Sequence, residues 1–252
     1  MKFIKSNIIL FIIITLWFIA SKSNIWSEYV LPSPQRVLKT FYIETINGNL
    51  IRNIYVSLLR VLTGFSIAFI LAFIFGMLLG IKPKSFVYFK NIIEFMRNIP
   101  PISLIAILIL WFGIGEKSKI IIIILASFFP ILINIRQGIF SVDKKLLEVG
   151  YSLNFSRLKI FFYIILPSAF PQILAGMKIG LGYSFRAIIG AEMIAASSGL
   201  GYMILDAQQL SRSDKVIAGI ITIGILGYLL DMIFYYFIKK FTYYNEGVNI
   251  ES

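Results

Sequence analysis

Neither cysteine nor histidine occurs anywhere in the 252 residues. Disulfides, thiolate nucleophiles, Cys/His metal sites and any triad that needs an imidazole base are therefore excluded, while redox compartment is left unread. Charge is scarce as well. Only 14% of the residues are charged, against about 25% in an ordinary soluble domain, and no stretch free of apolar runs is long enough for a separate soluble core. No Gly-x-x-x-x-Gly-Lys-Ser/Thr phosphate loop is present, so the chain does not bind ATP by that route and any ATP-driven process must draw on another subunit. No internal repeat of useful strength is visible.

What remains is apolar. The chain is 58% hydrophobic with a mean hydropathy of +0.86, which predicts an all-α polytopic bundle with lipid around it. The net charge of +12 is scattered between apolar runs rather than gathered in a stripe, so nucleic acid is not expected as a partner.

Residues 3–20 form the first apolar run, preceded by Lys2 and interrupted by Lys5. Its unbroken part is short enough for a signal-peptide core, but Ala20-Ser21 is a weak cleavage site and several spans follow, so residues 1–20 are read as a retained first transmembrane helix. Residues 21–60 are mixed and polar, with turn signals at Leu31-Pro32-Ser33-Pro34 and Asn47-Gly48-Asn49, and read as an external segment. A permease-like core is expected over 61–240. Residues 61–81 carry no charge and suffice, at about 1.5 Å per residue, to cross a hydrocarbon layer of about 30 Å. Pro100-Pro101 predicts a kinked helix or helix pair up to Gly115, and Pro130 a kink in the span over 120–135. Residues 160–177 look like a span by hydropathy, but Pro167 and Pro171 are expected to interrupt it, which moves the span to 169–191. A last span over 216–238 contains Asp231.

Six crossings put both termini on one side, and the surplus of Lys and Arg, with Arg97 counted among the inner-side cations, places that side, with the tail at 241–252, in the cytoplasm. Gly76-x-x-x-Gly80 and Gly176-x-x-x-Gly180 are small-residue pairs that permit close helix contact, though generic membrane-helix glycine explains them equally well.

The polar stretch after the fourth crossing reads Glu148-Val149-Gly150-Tyr151-Ser152-Leu153-Asn154, and after nine intervening residues comes Ile164-Ile165-Leu166-Pro167. This resembles the EAA loop of ABC importer permeases, in which Glu-Ala-Ala is followed by a central Gly and then Ile-x-Leu-Pro. Val149 and Gly150 stand in place of the two alanines and Asn154 in place of the glycine. Asn is the best non-Gly residue for a left-handed turn, whereas Gly150 in a helix interior costs up to about 1 kcal/mol. Further motifs, Ile99-Pro100-Pro101, Trp111-Phe112-Gly113-Ile114-Gly115, Leu166-Pro167-Ser168-Ala169-Phe170-Pro171 and Ala191-Glu192-Met193-Ile194-Ala195-Ala196 before Gly199-Leu200-Gly201, are similar to the nitrate/sulfonate/taurine branch of these permeases.

The resemblance implies an ABC importer type I permease fold in the bacterial plasma (inner) membrane. It implies two cytoplasmic ABC ATPase subunits that bind the ATP, an external substrate-binding protein and a second permease copy as partners. The loop at 136–167 would be a helix pair docking in an ATPase groove, with Glu148, Val149, Gly150, Asn154, Leu166 and Pro167 as its ATPase-coupling residues. No catalytic residue, metal or cofactor of its own is expected, and the substrate class implied is a small anion such as nitrate, an alkylsulfonate or taurine. A thiamine-precursor pyrimidine or riboflavin is the alternative cargo within the family; a non-transporting membrane assembly subunit is the alternative class, and an ion-coupled carrier would not need the docking loop.

Ionisable groups inside spans are functional hypotheses by default. Arg186 and Glu192 are candidates for the translocation pathway or gate, Glu192 alternatively organising the Gly199-Leu200-Gly201 loop. Lys178 and Asp231 are read as a structural ion pair, on helices taken to start near Pro171 and to end near Ile238. Glu148 has a plainer reading as the partner of Lys144 one helical turn away, worth about 0.2–0.5 kcal/mol.

Overall fold

The computed structural model describes residues 2–23 and 25–242, and every regular element among them is helical. The order is α1 (Lys2–Lys22), α2 (Pro34–Ile46), α3 (Asn49–Ile81), α4 (Pro83–Asn98), a 3-10 turn (Pro101–Leu104), α5 (Ile105–Phe112), α6 (Glu116–Phe140), α7 (Lys144–Ser152), α8 (Arg157–Ile160), a π-helical turn (Phe161–Ile165), α9 (Leu166–Ala195), α10 (Leu200–Gln209) and α11 (Ser213–Thr242). Of the tail expected at 241–252, residues 243–252 lie outside the described residues.

Four helical stretches are long and apolar enough to cross a membrane: α3, α6, Arg157–Ala195 and Ser213–Lys239. A fifth crossing arises if α4 and the following Pro101–Phe112 stretch, bent by 86°, count as one broken span. The sharp break has a local cause. Pro100 and Pro101 supply no backbone N–H, and residues before proline are driven out of the α region, as the extended Ile99 and Pro100 show. In α1 the described apolar stretch, Ile8–Lys22, is shorter.

Two elements differ from the sequence reading. α3 starts at Asn49 and runs for 33 residues, about 50 Å, so its first turns occupy what reads as external segment. Arg52, Asn53, Ser57 and Arg60 lower the hydropathy there but are all compatible with helix. Pro167 and Pro171 also fail to interrupt the chain, which is helical from Arg157 to Ala195. For Pro167 the π-helical turn explains why, Leu166 N–H bonding to the carbonyl of Phe161, five residues back, while Pro171 is accommodated inside α9 itself. This wider turn makes room for the Pro167 ring, which would otherwise press on the carbonyl four residues before it.

The chain divides into two compact units, residues up to Leu58 with Glu192–Leu226, and Leu59–Ala191 with the residues from Gly227 onward. In the second unit, glycine notches set the packing. A Cβ built on Gly64, Gly76 or Gly80 of α3 would lie 2.7, 2.9 and 2.8 Å from Ile123, Ile135 and Ile139 of α6. Both sets of numbers rise together, so α3 and α6 run parallel, as two spans separated by one broken crossing must. Gly138 of α6 meets Gln172 of α9, Gly176 meets Asn134 and Gly180 meets Ile131. Here the numbers run oppositely, so α9 is antiparallel to α6. Residue 82 and the 141–156 hairpin therefore emerge on one side. Close backbone approach through small residues replaces the hydrophobic drive that lipid does not provide. Ile122, Ile123, Ile131, Ile135 and Ile188 fill the core beside these notches.

In the first unit, Ser33 caps α2 by accepting from Arg36 N–H, with Pro34 in the first turn. Trp17 Nε1 of α1 donates to the Pro32 carbonyl at 3.1 Å, and Gly219 of α11 lets Ile204 of α10 approach closely.

Candidate functional site

The polar hairpin is built from α7, a tight turn and α8. Asp143 caps α7 through Lys145 N–H at 2.9 Å, and Ser156 caps α8 through Lys159 N–H at 3.4 Å. Between them Asn154 takes φ +55°, its N–H bonding the Tyr151 carbonyl at 2.9 Å while Phe155 N–H reaches back to the Gly150 carbonyl at 3.0 Å. That pair of bonds is a complete Schellman stop, which satisfies the last carbonyls of α7 and fixes the exit of the chain. Replacing Asn154 with Gly is expected to leave the melting midpoint of the purified protein within about 2 °C of the unaltered chain, since glycine takes positive φ at least as easily. Asn154→Val puts a β-branched residue at positive φ and is expected to lower the midpoint by several degrees; equal midpoints of the two variants would show that this turn is not essential to the fold.

Gly150 is the buried residue of α7. A Cβ there would lie 2.5 Å from Ile164 Cδ1 and 3.3 Å from Ile160 Cγ1, so its helix-propensity cost is offset by close packing of α7 on the α8 side of the hairpin. Glu148 and Val149 are exposed, and Leu146, Val149 and Leu153 form an exposed apolar stripe at helical spacing. Among the described residues Glu148 makes no ion pair with Lys144. Leu166 and Pro167 open α9 directly after the π-helical turn, joining the hairpin to a long helix without a flexible linker.

Glu192 lies at the far end of α9 and is fully buried. Its two carboxylate oxygens are 2.9 and 2.8 Å from Ser57 Oγ, and one accepts from Gly201 N–H at 3.0 Å. Ser57 Oγ accepts from Leu200 N–H at 2.9 Å, while Asn53 Oδ1 accepts from Gly199 N–H at 2.7 Å. Three consecutive N–H groups at the start of α10 are thus held by side chains, where a helix leaves donors unsatisfied and favours negative charge. Gly199, at φ +114° and ψ 169°, leaves no room for a Cβ, which would collide with the Glu192 carboxylate. Sequence reading singled out Glu192 and this loop but missed Asn53 and Ser57. Their one signal is a polar pair four residues apart on α3, just ahead of the apolar run.

A second polar cluster in the same unit ties α2 to the start of α11. Asp214 accepts from Thr40 Oγ1 at 2.6 Å and from Arg212 Nη2 at 2.8 Å, and Lys215 lies 3.2 Å from Glu44. The bond to Asp214 holds the pKa of the Arg212 guanidinium above its ordinary value. In the other unit, Arg60 Nε and Nη2 grip Glu116 at 2.7 and 2.6 Å, and Lys119 Nζ joins at 2.8 Å.

The remaining expected site residues are not brought together. Lys178 is half-buried and Asp231 exposed, with no ion pair between them among the described residues. Their shared depth presumes a helix starting at Pro171, whereas α9 starts at Leu166 with helix before it and α11 continues to Thr242. Arg186 is exposed on α9.

Membrane-length helices carrying one rigid polar hairpin with an exposed apolar stripe are what a membrane subunit of a multi-component transporter requires. The family model described as binding-protein-dependent transport system inner membrane component matches residues 68–243, and the chain belongs to that family. It is 37% identical over 220 residues to the putative aliphatic sulfonates transport permease protein of Bacillus subtilis (strain 168), across 87% of this chain and 80% of that protein. It is 34% identical to the taurine transport system permease protein of Escherichia coli (strain K12), across 88% and 82% of the two. With the nitrate import permease protein of Synechocystis sp. (strain PCC 6803) it shares 34% identity, across 80% and 76%. Among solved structures, a chain of the MetNI methionine ABC transporter superposes with a TM-score of 0.69 at 17% identity, covering 79% of this chain and 99% of that one. That likeness establishes the fold as that of an ABC importer permease.

Proposed function

We propose that the chain is the transmembrane permease subunit of an ATP-driven, binding-protein-dependent importer for a small anion of the nitrate, alkylsulfonate or taurine kind. Two copies would work with two cytoplasmic ATPase subunits and an external binding protein, both termini lying in the cytoplasm. The observation that carries this reading is the α7–α8 hairpin. Its apolar stripe is exposed where the chain is otherwise polar, which marks a protein contact, and its Schellman turn, its Gly150 packing and its direct join to α9 make it stiff. A stiff element passes the movement of an ATPase to the membrane helices; a flexible loop would absorb it. The names of the sulfonate, taurine and nitrate relatives support the substrate class.

Reversing the charge at the exposed Glu148 tests the docking role. Glu148→Arg is expected to leave membrane levels unchanged while the ATPase either dissociates on purification or loses its stimulation by loaded binding protein, at least tenfold. A surface pair with Lys144 would be worth a few tenths of a kcal/mol and produce no such loss. Orientation is read separately: in a chain without native cysteine, Ser141→Cys should resist an impermeant thiol reagent in intact cells and react after permeabilisation. Labelling in intact cells would put the hairpin outside and end the docking assignment.

A further inference from the structure

One cleft of about 440 Å³ lies in the second unit, between the break after α4 and the flanks of α6 and α9. Arg97 and Asn98 at the end of α4, Phe129 and Asn134 of α6 and Tyr183 of α9 line it. Phe129 and Tyr183 each sit more than 12 residues from the start of their helices, about 20 Å along the axis, so the cleft belongs to mid-span rather than to an end. Sequence reading counts Arg97 with the inner-side cations; the structure sets it beside these mid-span residues.

Three physical facts converge on this cleft. Extended backbone at Ile99 and Pro100 is tolerated at membrane depth only where it is buried in protein or lines a water-filled space. A helix broken at mid-membrane is also a common way to present polar groups to a transported solute. Arg97 is exposed and, among the described residues, has no ion-pair partner; an arginine at such depth is costly unless it faces water or a counter-charge. It is the one charged side chain among the described lining residues, and its forked donors match the planar or tetrahedral oxygens of nitrate and sulfonate. The volume suits a small ligand with its water.

We infer that this cleft is the anion-passage site of the permease and that Arg97, rather than Arg186, selects the charge of the solute. The inference rests on the importer reading given above. Its test separates the two by using a probe that needs no transport. Ile179 lines the cleft and is 43% exposed, so Ile179→Cys is placed in the permease–ATPase complex. Its modification rates are measured with 2-sulfonatoethyl methanethiosulfonate, itself a small alkylsulfonate, and with the trimethylammonium analogue. The ratio of anionic to cationic reagent should fall about tenfold when Arg97→Gln is added, the size of effect a nearby charge exerts in a confined site, and should recover most of the way with Arg97→Lys. A ratio changed less than twofold by Arg97→Gln, or a cysteine that neither reagent reaches, overturns the inference. Uptake of taurine, ethanesulfonate and nitrate by the reconstituted complex with its binding protein is measured in parallel. Failure of the unaltered complex to take up any of them counts against the importer reading, while the labelling ratio still decides the role of Arg97.

Discussion

Gly199→Ala is expected to be the most damaging single-methyl change in the chain. At φ +114° and ψ 169° the residue occupies a region open essentially to glycine alone, where any other residue costs about 1–3 kcal/mol. The added Cβ also meets the Glu192 carboxylate, which is fully buried and held by Ser57 and Gly201 and so has nowhere to move; such overpacking adds about 1–3 kcal/mol. With about 2–4 °C per kcal/mol for a chain of this size, the melting midpoint of the purified permease should drop by roughly 10 °C. Ser57→Ala removes hydrogen bonds without adding bulk and should cost less, about 1–3 kcal/mol. A midpoint for Gly199→Ala within 2 °C or so of the unaltered protein would show that the Glu192 knot is not rigid.

If the hairpin docks an ATPase as proposed, Gly150→Phe should break coupling rather than folding. Space at Gly150 is closed by Ile164 Cδ1 and Ile160 Cγ1, which are side-chain ends rather than backbone. Gly150→Ala is therefore near neutral, the strain of displacing one methyl being offset by a gain of up to about 1 kcal/mol in helix propensity. An aromatic ring fits only if α7 lifts off α8. The expected phenotype is a permease at normal membrane abundance whose stimulated ATP hydrolysis and uptake both fall at least tenfold, with the alanine variant within twofold of normal. Full uptake with Phe at position 150 would mean that α7 need not be seated on α8 for transport.

The hairpin was legible in the sequence because two of its determinants are local, an Asn that accepts positive φ and a fixed spacing to Leu166-Pro167; the caps Asp143 and Ser156 went unread. Gly150 looked like a weakness for the opposite reason, since its justification is tertiary, in Ile164 across the turn. The Glu192 knot was half legible. The carboxylate and the glycine loop stand close in the chain, but Ser57 is 135 positions away from Glu192, and no periodicity on α3 marks it as a partner. Pro167 misled because a rule about helix interiors does not foresee a π-helical turn that relieves the clash, and the depth assigned to Lys178 rested on the same reading of where the helix begins. Arg97 was lost among the loop cations because the break after α4 was seen while the place it occupies beside α6 was not.

The glycine notches along α3, α6 and α9 also have a mechanical consequence. Ile123, Ile135 and Ile139 sit in Gly64, Gly76 and Gly80 like teeth in a rack. Sliding α3 along α6 would lift all three branched side chains out of their seats at once. Gly138, Gly176 and Gly180 lock α9 to α6 in the same way. These three helices are therefore interlocked against translation and shift as one block, and bending concentrates where the backbone already departs from α-geometry, at the break at Ile99 and Pro100 and at the wide turn ahead of Leu166.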